Sequence, residues 1–204
     1  MKKTQSQLVS SSNEQEKATT DYDVLADKYS KSSLVGEYRQ LFDIFNLKRL
    51  INRVGPLLLH PIERILDVGC GEGGLTRTLV EDGTIQFATG IDLCKNMINL
   101  AKKSSEQFSE RFQYDVQDIT DLKEKSSTLM SSLVMSTYLL CNARSTEELF
   151  GMISGIRQLC SGFLVGIEPS PFFPPSDVYK YQKYGWNLII SDQPEDGESI
   201  QFIF

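Results

Sequence analysis

Histidine is nearly absent from this chain, since His60 is its only histidine among 204 residues. The four cysteines, Cys70, Cys94, Cys141 and Cys160, are scattered and form no Cys-x-x-Cys pair. Zinc sites and disulfide frameworks need such ligands at close or regular spacing. The sequence therefore predicts neither a metal site nor disulfides, and we expect four reduced thiols.

The chain also lacks an excess of positive charge and any long apolar run. Lys and Arg total 21 against 27 Asp and Glu, which gives a net charge of −6. Binding to a phosphate backbone requires the opposite balance. No segment reaches the ~18 apolar residues of a membrane span, and no apolar stretch follows the N-terminal lysines as in a signal peptide. We expect a cytoplasmic protein that binds neither nucleic acid nor a membrane.

The size and composition favour one folded domain. A hydrophobic fraction of 40% in 204 residues suffices for one good core. Residues 1–20 are almost entirely polar, which predicts a disordered tail. The domain is expected to cover residues 21–204, with helices over 21–60, alternating strands and helices over 61–168, and a Pro-rich loop and hairpin over 169–204.

Strand-like and helical patterns alternate through the middle of the chain. This alternation predicts an α/β fold with a Rossmann-like, doubly wound and mostly parallel sheet, because right-handed crossovers place helices on both faces. Strands are expected at residues 64–68, 86–91, 111–116, 132–138 and 162–167, and helices at 75–81, 95–108 and 146–159.

A glycine-rich turn follows the first predicted strand, in the sequence ILDVGCGEGGLT over residues 65–76. Gly69, Gly71, Gly73 and Gly74 lack a Cβ, so the backbone can take a positive φ and approach a ligand closely. A tight turn between a strand and a helix without any ligand is the alternative. The residues around the turn bear on the choice.

Asp67 stands two residues before Gly69. Dinucleotide-binding enzymes usually have an apolar residue there, because a carboxylate would lie near the pyrophosphate. S-adenosylmethionine (AdoMet) has no phosphate and carries an ammonium and a sulfonium instead. A carboxylate near the turn would favour both cations, directly or through water.

Two further acids follow the next two predicted strands. Asp92 stands where a carboxylate can accept hydrogen bonds from both ribose hydroxyls, and Asp118 where one can accept from the adenine amine. Leu93, Met97 and Ile119 could enclose the adenine ring. Structural alternatives are a helix N-cap for Asp92 and an ordinary loop aspartate for Asp118. The carboxyl ends of parallel strands share one edge of the sheet, where ligands bind.

These features resemble the class I AdoMet-dependent methyltransferases, and more narrowly the toxoflavin-synthase-type enzymes that methylate small molecules. The resemblance covers about residues 21–204. It rests on Tyr22-Asp23-x-x-Ala26-x-x-Tyr29, the glycine turn, Gly90-Ile91-Asp92-Leu93, Tyr138-Leu139-Leu140, Ala143-Arg144-Ser145-Thr146-Glu147-Glu148-Leu149, Gly166-Ile167-x-Pro169-x-Pro171 and Lys183-Tyr184-Gly185-Trp186.

The resemblance implies roles for particular residues, with AdoMet as cofactor and S-adenosylhomocysteine as product. Tyr22 and Tyr29 would belong to an N-terminal helical lid over the cofactor. Gly69, Cys70, Gly71 and Ser136 would join Asp67, Asp92, Leu93, Met97, Asp118 and Ile119 around it. Tyr138, Asn142, Arg144 and Glu168 are the candidates to orient a small-molecule substrate. No catalytic base is predicted, because His60 precedes the first strand and lies at the wrong edge.

The predicted hairpin either forms the last pair of the sheet or stands where the last helix and strands of the family are absent, and the resemblance favours absence. A second copy of the chain or another partner would then cover the C-terminal edge of the sheet. Together with departures such as Ser131-Ser132 at the start of the fourth strand, this keeps a non-catalytic AdoMet-binding protein as the alternative. A protein or nucleic-acid methyltransferase fits less well, because Tyr138-Leu139-Leu140 stands where many base and amide methylators have an Asn/Asp-Pro-Pro-aromatic tetrapeptide, and the acidity argues further against nucleic acid. A nicotinamide-dependent dehydrogenase fits less well because of Asp67 and the lack of a convincing proton donor.

Overall fold

The computed structural model describes residues 39–122, 126–169, 187–189 and 201–203. The predicted disordered tail, Tyr22, Tyr29 and most of the Pro-rich loop lie outside these residues. Within the described part of the chain, no helix is long and apolar enough to cross a membrane.

Helices and strands alternate along the described chain. A π-helical segment, Arg39–Ile44, leads into α1, Phe45–Val54, which precedes the first strand. The remaining helices are α2 (Gly74–Glu81), α3 (Lys95–Ser104), the short α4 (Ser126–Leu129) and α5 (Thr146–Leu159). The strands are β1 (Arg64–Val68), β2 (Phe87–Asp92), β3 (Phe112–Val116), β4 (Ser131–Thr137), β5 (Cys160–Ile167), β6 (Asn187–Ile189) and β7 (Gln201–Ile203).

The first five strands form a parallel sheet in the order β3-β2-β1-β4-β5. The chain moves outwards from β1 to β3, then returns to the other side of β1 as β4. This reversal of strand order creates a crevice at the carboxyl ends of β1 and β4. The predicted doubly wound fold is therefore confirmed, and the crevice directs attention to the turns that follow β1, β2 and β4.

Alternate side chains of the strands pack on opposite faces of the sheet. Ile65 belongs to a core with α1 and α2, whereas its neighbour Leu66 belongs to a core with α5. Both side chains are essentially inaccessible to solvent. Because both faces of a parallel sheet are buried, successive residues of its strands are mostly apolar instead of alternating with polar ones.

The start of α5 shows how local sequence sets an element boundary. Ser145 is the N-cap, and its hydroxyl accepts a hydrogen bond from the Glu148 amide (3.2 Å). The Glu148 carboxylate accepts from the Arg144 amide (2.7 Å). This reciprocal pairing, close to a capping box, satisfies amides that the helix itself cannot.

The predicted helix over residues 95–108 is shorter in the structure, since α3 ends at Ser104 and a 3-10 segment, Glu106–Arg111, follows it. The predicted hairpin is confirmed, because β6 pairs antiparallel with β7. Among the described residues this pair forms a separate sheet and does not extend β5. The expected partner at the C-terminal edge stays a prediction.

Candidate functional site

The glycine turn between β1 and α2 combines three residues of positive φ. Gly69, Gly71 and Gly73 have φ of 76°, 56° and 75°. A Cβ on Gly69 would come within 2.9 Å of Leu139, and one on Gly73 within 2.6 Å of the Tyr114 hydroxyl. A Cβ on Gly71 would meet no described atom within 4 Å. Gly69 and Gly73 therefore allow close packing within the protein, whereas Gly71 borders open space.

Asp92 joins the end of β2 to this turn. Its Oδ2 accepts a hydrogen bond from the Gly71 amide (2.8 Å), and its Oδ1 accepts one from the Cys94 amide (2.8 Å). Burial raises the pKa of this carboxyl above its ordinary value, although the two amide hydrogen bonds act in the opposite direction. Each carboxylate oxygen can accept a second hydrogen bond. The group is thus fixed by the protein and can still bind two hydroxyls of a ligand.

Asp92 is not the N-cap of α3, because that position is held by Cys94. The carboxylate instead accepts a hydrogen bond from the amide of the N-cap residue. The capping interpretation considered for Asp92 is therefore wrong, and the aspartate is available to serve the turn.

Asp67 lies beneath the turn, with only 1% of its surface exposed. Its Oδ2 accepts a hydrogen bond from the Thr76 hydroxyl on α2. The carboxylate therefore joins β1 to the helix that follows the turn. This arrangement fixes the two flanks of the glycine turn relative to each other.

The end of β4 lies beside the same turn. Ser136 pairs with Val68, the residue immediately before Gly69, and is 4% exposed. Its hydroxyl has no hydrogen-bond partner among the described residues. Tyr138, which follows the strand, has a φ of 55° without being glycine. A strained backbone and an unsatisfied buried hydroxyl at one strand end are typical of a binding site.

Known proteins resemble this arrangement in sequence. Residues 65–161 match the sequence profile described as "Methyltransferase domain". The ubiquinone biosynthesis O-methyltransferase of Coxiella burnetii is 35% identical over 77 residues, which are 34% of this chain and 32% of that protein. The matched region thus spans about a third of that relative's length. The profile covers the glycine turn, Asp92 and the end of β4.

The sequence match and the fold support a class I AdoMet-dependent methyltransferase domain over residues 65–161.

Solved structures share the fold of this methyltransferase domain. A magnesium protoporphyrin IX methyltransferase from Synechocystis PCC 6803, solved with bound SAM, superposes with a TM-score of 0.61 at 18% identity, covering 89% of this chain and 91% of that chain. The cyclase SpnF superposes with a TM-score of 0.58 at 18% identity, covering 86% and 74%. At such identities the likeness concerns the fold alone.

The residues predicted around the adenine take several positions. Asp118 Oδ1 accepts hydrogen bonds from the amide and hydroxyl of Thr120, each at 2.7 Å, so it shapes the loop after β3. Leu93 is 52% exposed, whereas Met97 and Ile119 are buried and belong to different apolar clusters. A loop role for Asp118 is present, and its adenine contact stays a prediction.

The surroundings of Cys70, in the glycine turn, disfavour its thiolate form. Burial raises the pKa of its thiol well above the ordinary value, and Asp67 and Asp92 raise it further. Among the described residues there is no group of three or more His, Cys, Asp or Glu that could hold a metal. In the structure, the Cys70 side chain lies close to Gly90 of β2.

The predicted substrate-orienting residues are held by local hydrogen bonds. The Glu168 carboxylate accepts from the amides of Leu139 and Leu140 through Oε1 (3.0 and 2.9 Å) and from that of Cys141 through Oε2 (3.2 Å). Asn142 Nδ2 donates to the Tyr138 carbonyl (2.6 Å). These contacts fix the loop after β4, and the predicted contacts with substrate remain untested.

Two buried residues were not anticipated from the sequence, one beside the glycine turn and one bonded to the residue that follows β4. Tyr114 of β3 is 4% exposed and lies so close to Gly73 and Gly90 that no Cβ fits at either position. Asp43 is 2% exposed, and its Oδ1 accepts a hydrogen bond from the Tyr138 hydroxyl (2.8 Å). One feature of the sequence could have indicated Asp43, because it is a charged residue within an apolar helical pattern. Tyr114 has no such feature, since it resembles any aromatic residue of a strand.

Proposed function

We propose that this chain binds AdoMet at the carboxyl ends of β1, β2 and β4 and transfers its methyl group to a small-molecule acceptor. The position of Asp92 carries the proposal. Its carboxylate is held by the amides of Gly71 and Cys94, next to the open space at Gly71. That geometry suits a ligand with two neighbouring hydroxyls, such as the ribose of AdoMet.

The described residues also fit the remainder of the cofactor. A Cβ on Gly71 would project into space that no described atom occupies, so backbone can lie directly against a ligand there. The buried Ser136 hydroxyl, without a partner among the described residues, can hydrogen-bond to a ligand atom at the end of β4. The negative charge of Asp67 near the turn favours a cationic ligand over a pyrophosphate.

AdoMet, when bound, supplies a methyl group on a sulfonium, which is transferred by in-line displacement. The protein has to position the acceptor and exclude water. We assign the orienting contacts to Tyr138, Asn142, Arg144 and Glu168, on the loops that follow β4 and β5. Tyr22 and Tyr29 are proposed to lie over the methionine end of the cofactor, as the family resemblance implies.

A small acceptor is favoured by the charge of the chain and by its relatives. The net charge of −6 works against binding to nucleic acid. The Coxiella burnetii relative is named for O-methylation in ubiquinone biosynthesis, and we propose an acceptor of similar size rather than that particular molecule. Membership of the toxoflavin-synthase-type subgroup remains part of this proposal.

The fold alone does not determine methyl transfer, because one structural neighbour is named as a cyclase. The non-catalytic alternative therefore has to be separated from the enzyme by turnover as well as by binding. Release of S-adenosylhomocysteine in the presence of an acceptor panel distinguishes the two. Cofactor binding without release across that panel would favour the non-catalytic protein.

The cofactor site is tested by titrating the folded chain with S-adenosylhomocysteine in a calorimeter. Asp92→Asn keeps the shape but replaces one acceptor oxygen by a donor, so we expect affinity to fall by about 10- to 100-fold, the effect of losing a hydrogen bond to a charged group. Glu81→Gln is the control, because it removes the same charge at the exposed end of α2, far from the turn. Equal affinity in wild type and Asp92→Asn would refute the site.

A further inference from the structure

The Tyr114 side chain extends from β3 across β2 to the glycine turn that follows β1. Its partner in the register of the sheet is Gly90 of β2, and a Cβ there would lie 2.7 and 2.8 Å from two carbons of the Tyr114 ring. At the far end of the side chain, a Cβ on Gly73 would lie 2.6 Å from the phenol oxygen. Two glycines, one in a strand and one in the turn, therefore leave the space that a single phenol fills.

The Tyr114 side chain is held in place by neighbours on β3 and α3. It is 4% exposed, and its ring stacks on that of Phe112, with the ring centroids 5.8 Å apart. Its hydroxyl lies 3.3 Å from the hydroxyl of Ser105, the residue after the last one of α3. Burial raises the pKa of Tyr114 to about 12, so the phenol is neutral at physiological pH. Its contact with the turn is therefore one of packing between uncharged groups.

Gly73 links this contact to the candidate cofactor site. Its amide donates to the Cys70 carbonyl (3.0 Å), and its own carbonyl accepts from the Arg77 amide of α2 (2.8 Å). Gly71, whose amide donates to Asp92, lies between Cys70 and Gly73 in the chain. A displacement of Gly73 would therefore move the backbone that borders the open space at Gly71.

We propose that Tyr114 is a positioning residue for the cofactor, because its phenol oxygen supports Gly73 and so holds the glycine turn in the shape that binds AdoMet. This inference rests on the proposed function. We assign Tyr114 no contact with the cofactor itself, since its hydroxyl lies against the backbone of the turn and Ser105. Removal of the oxygen would leave a small void beside Gly73, and the close-packed backbone would shift toward it. The turn would then fit the cofactor less well.

The first test compares Tyr114→Phe with Ser105→Ala. Both variants remove the hydrogen bond between the two hydroxyls, so each should lower the Tm by a similar amount, about 2–4 °C. Only Tyr114→Phe removes the atom that packs against Gly73. We expect the affinity for S-adenosylhomocysteine, measured by calorimetry well below the Tm, to fall by about 3- to 10-fold in Tyr114→Phe. Ser105→Ala should stay within about twofold of wild type.

The second test is a double-mutant cycle between Tyr114 and Gly73. Gly73→Ala places a Cβ against the phenol oxygen at a backbone φ of 75°, and we expect it to lower the affinity by about 100-fold or more. Without that oxygen, the closest atoms to the Cβ are ring carbons at 3.1 and 3.2 Å. Gly73→Ala should therefore cost about 10-fold less affinity in the Tyr114→Phe protein than in wild type.

Three results would overturn the positioning role of Tyr114. The first is equal affinity in Tyr114→Phe and wild type. The second is an equal loss in Tyr114→Phe and Ser105→Ala, which would trace the effect to their shared hydrogen bond. The third is additive losses in the cycle, which would mean that the phenol oxygen and Gly73 do not act through one contact.

Circular dichroism checks the folding of every variant. If Gly73→Ala does not fold, the comparison of Tyr114→Phe with Ser105→Ala decides by itself. The wild type separates this proposal from the proposed function. A folded wild type that does not bind S-adenosylhomocysteine would overturn the proposed function, whereas a wild type that binds it no better than Tyr114→Phe would overturn the role of Tyr114 alone.

Discussion

Gly71→Ala tests whether the open space at the glycine turn is a ligand site. Gly71 has a φ of 56°, and a Cβ there would meet no described atom within 4 Å. The chain offers a matched control in Gly83, which has a φ of 79° and is equally open, but lies in the turn after α2. Because α2 runs from the glycine turn to Gly83, the two glycines lie at opposite ends of that helix.

The cost to folding should be alike in the two alanine variants. A left-handed conformation costs a non-glycine residue about 1–2 kcal/mol, partly offset by the lower entropy of the unfolded chain. We expect the free energy of unfolding to fall by about 1 kcal/mol in each, which corresponds to a Tm lower by roughly 2–4 °C for a domain of this size. Neither variant adds a steric clash, because both positions border open space.

The effect on binding should differ sharply. A methyl group on Gly71 would project into the space that we assign to AdoMet, and overfilling a packed space typically costs about 1–3 kcal/mol. We expect the affinity for S-adenosylhomocysteine to fall by about 10- to 100-fold in Gly71→Ala and to be unchanged in Gly83→Ala. Calorimetric titration measures it, and thermal unfolding without ligand measures the shared folding cost.

Equal affinities in Gly71→Ala and wild type would refute the reasoning, since a ligand lying against the turn cannot ignore a new methyl group. Equal losses in Gly71→Ala and Gly83→Ala would also contradict it, because they would trace the effect to stability rather than to the site.

Three further predictions concern stability and pH. Gly155→Ala should lower the free energy of unfolding by about 3 kcal/mol or more, because its Cβ would collide with the Ile119 carbonyl, whereas Gly151→Ala in the same helix should be neutral or slightly stabilising; denaturant unfolding of both variants checks this. Glu168→Ala should cost about 1–3 kcal/mol, because three backbone amides lose their acceptor; unchanged unfolding curves would argue against this structural role. The raised pKa of Asp92 gives two pH dependences of opposite sign. Its contribution to the stability of the ligand-free protein is present below the ordinary aspartate pKa and lost as pH rises through the raised pKa. Binding of S-adenosylhomocysteine should weaken as pH falls through that same raised pKa, and Asp92→Asn should remove both dependences.

Local patterns in the sequence were enough for much of the fold. Apolar runs bounded by turn residues predicted all five strands of the parallel sheet, with ends within two residues of those observed. The glycine turn and Asp92 were also predicted to lie at one edge, because parallel strands bring their carboxyl ends together. These features depend on residues close together in the chain or on the general topology of βαβ units, so they can be predicted from one sequence.

Contacts between distant parts of the chain were decided by the tertiary structure. Asp43 and Tyr138 are 95 residues apart, and only the packing of the segment before α1 near the end of β4 brings them together. The three amides that bind Glu168 likewise belong to a loop 27 to 29 residues earlier. Periodicity reports which face of an element is buried, but it does not identify the partner of a buried polar group. The sequence thus determined the strands of the sheet and the position of the glycine turn, whereas the pairing of Tyr138 with Asp43 required the folded chain.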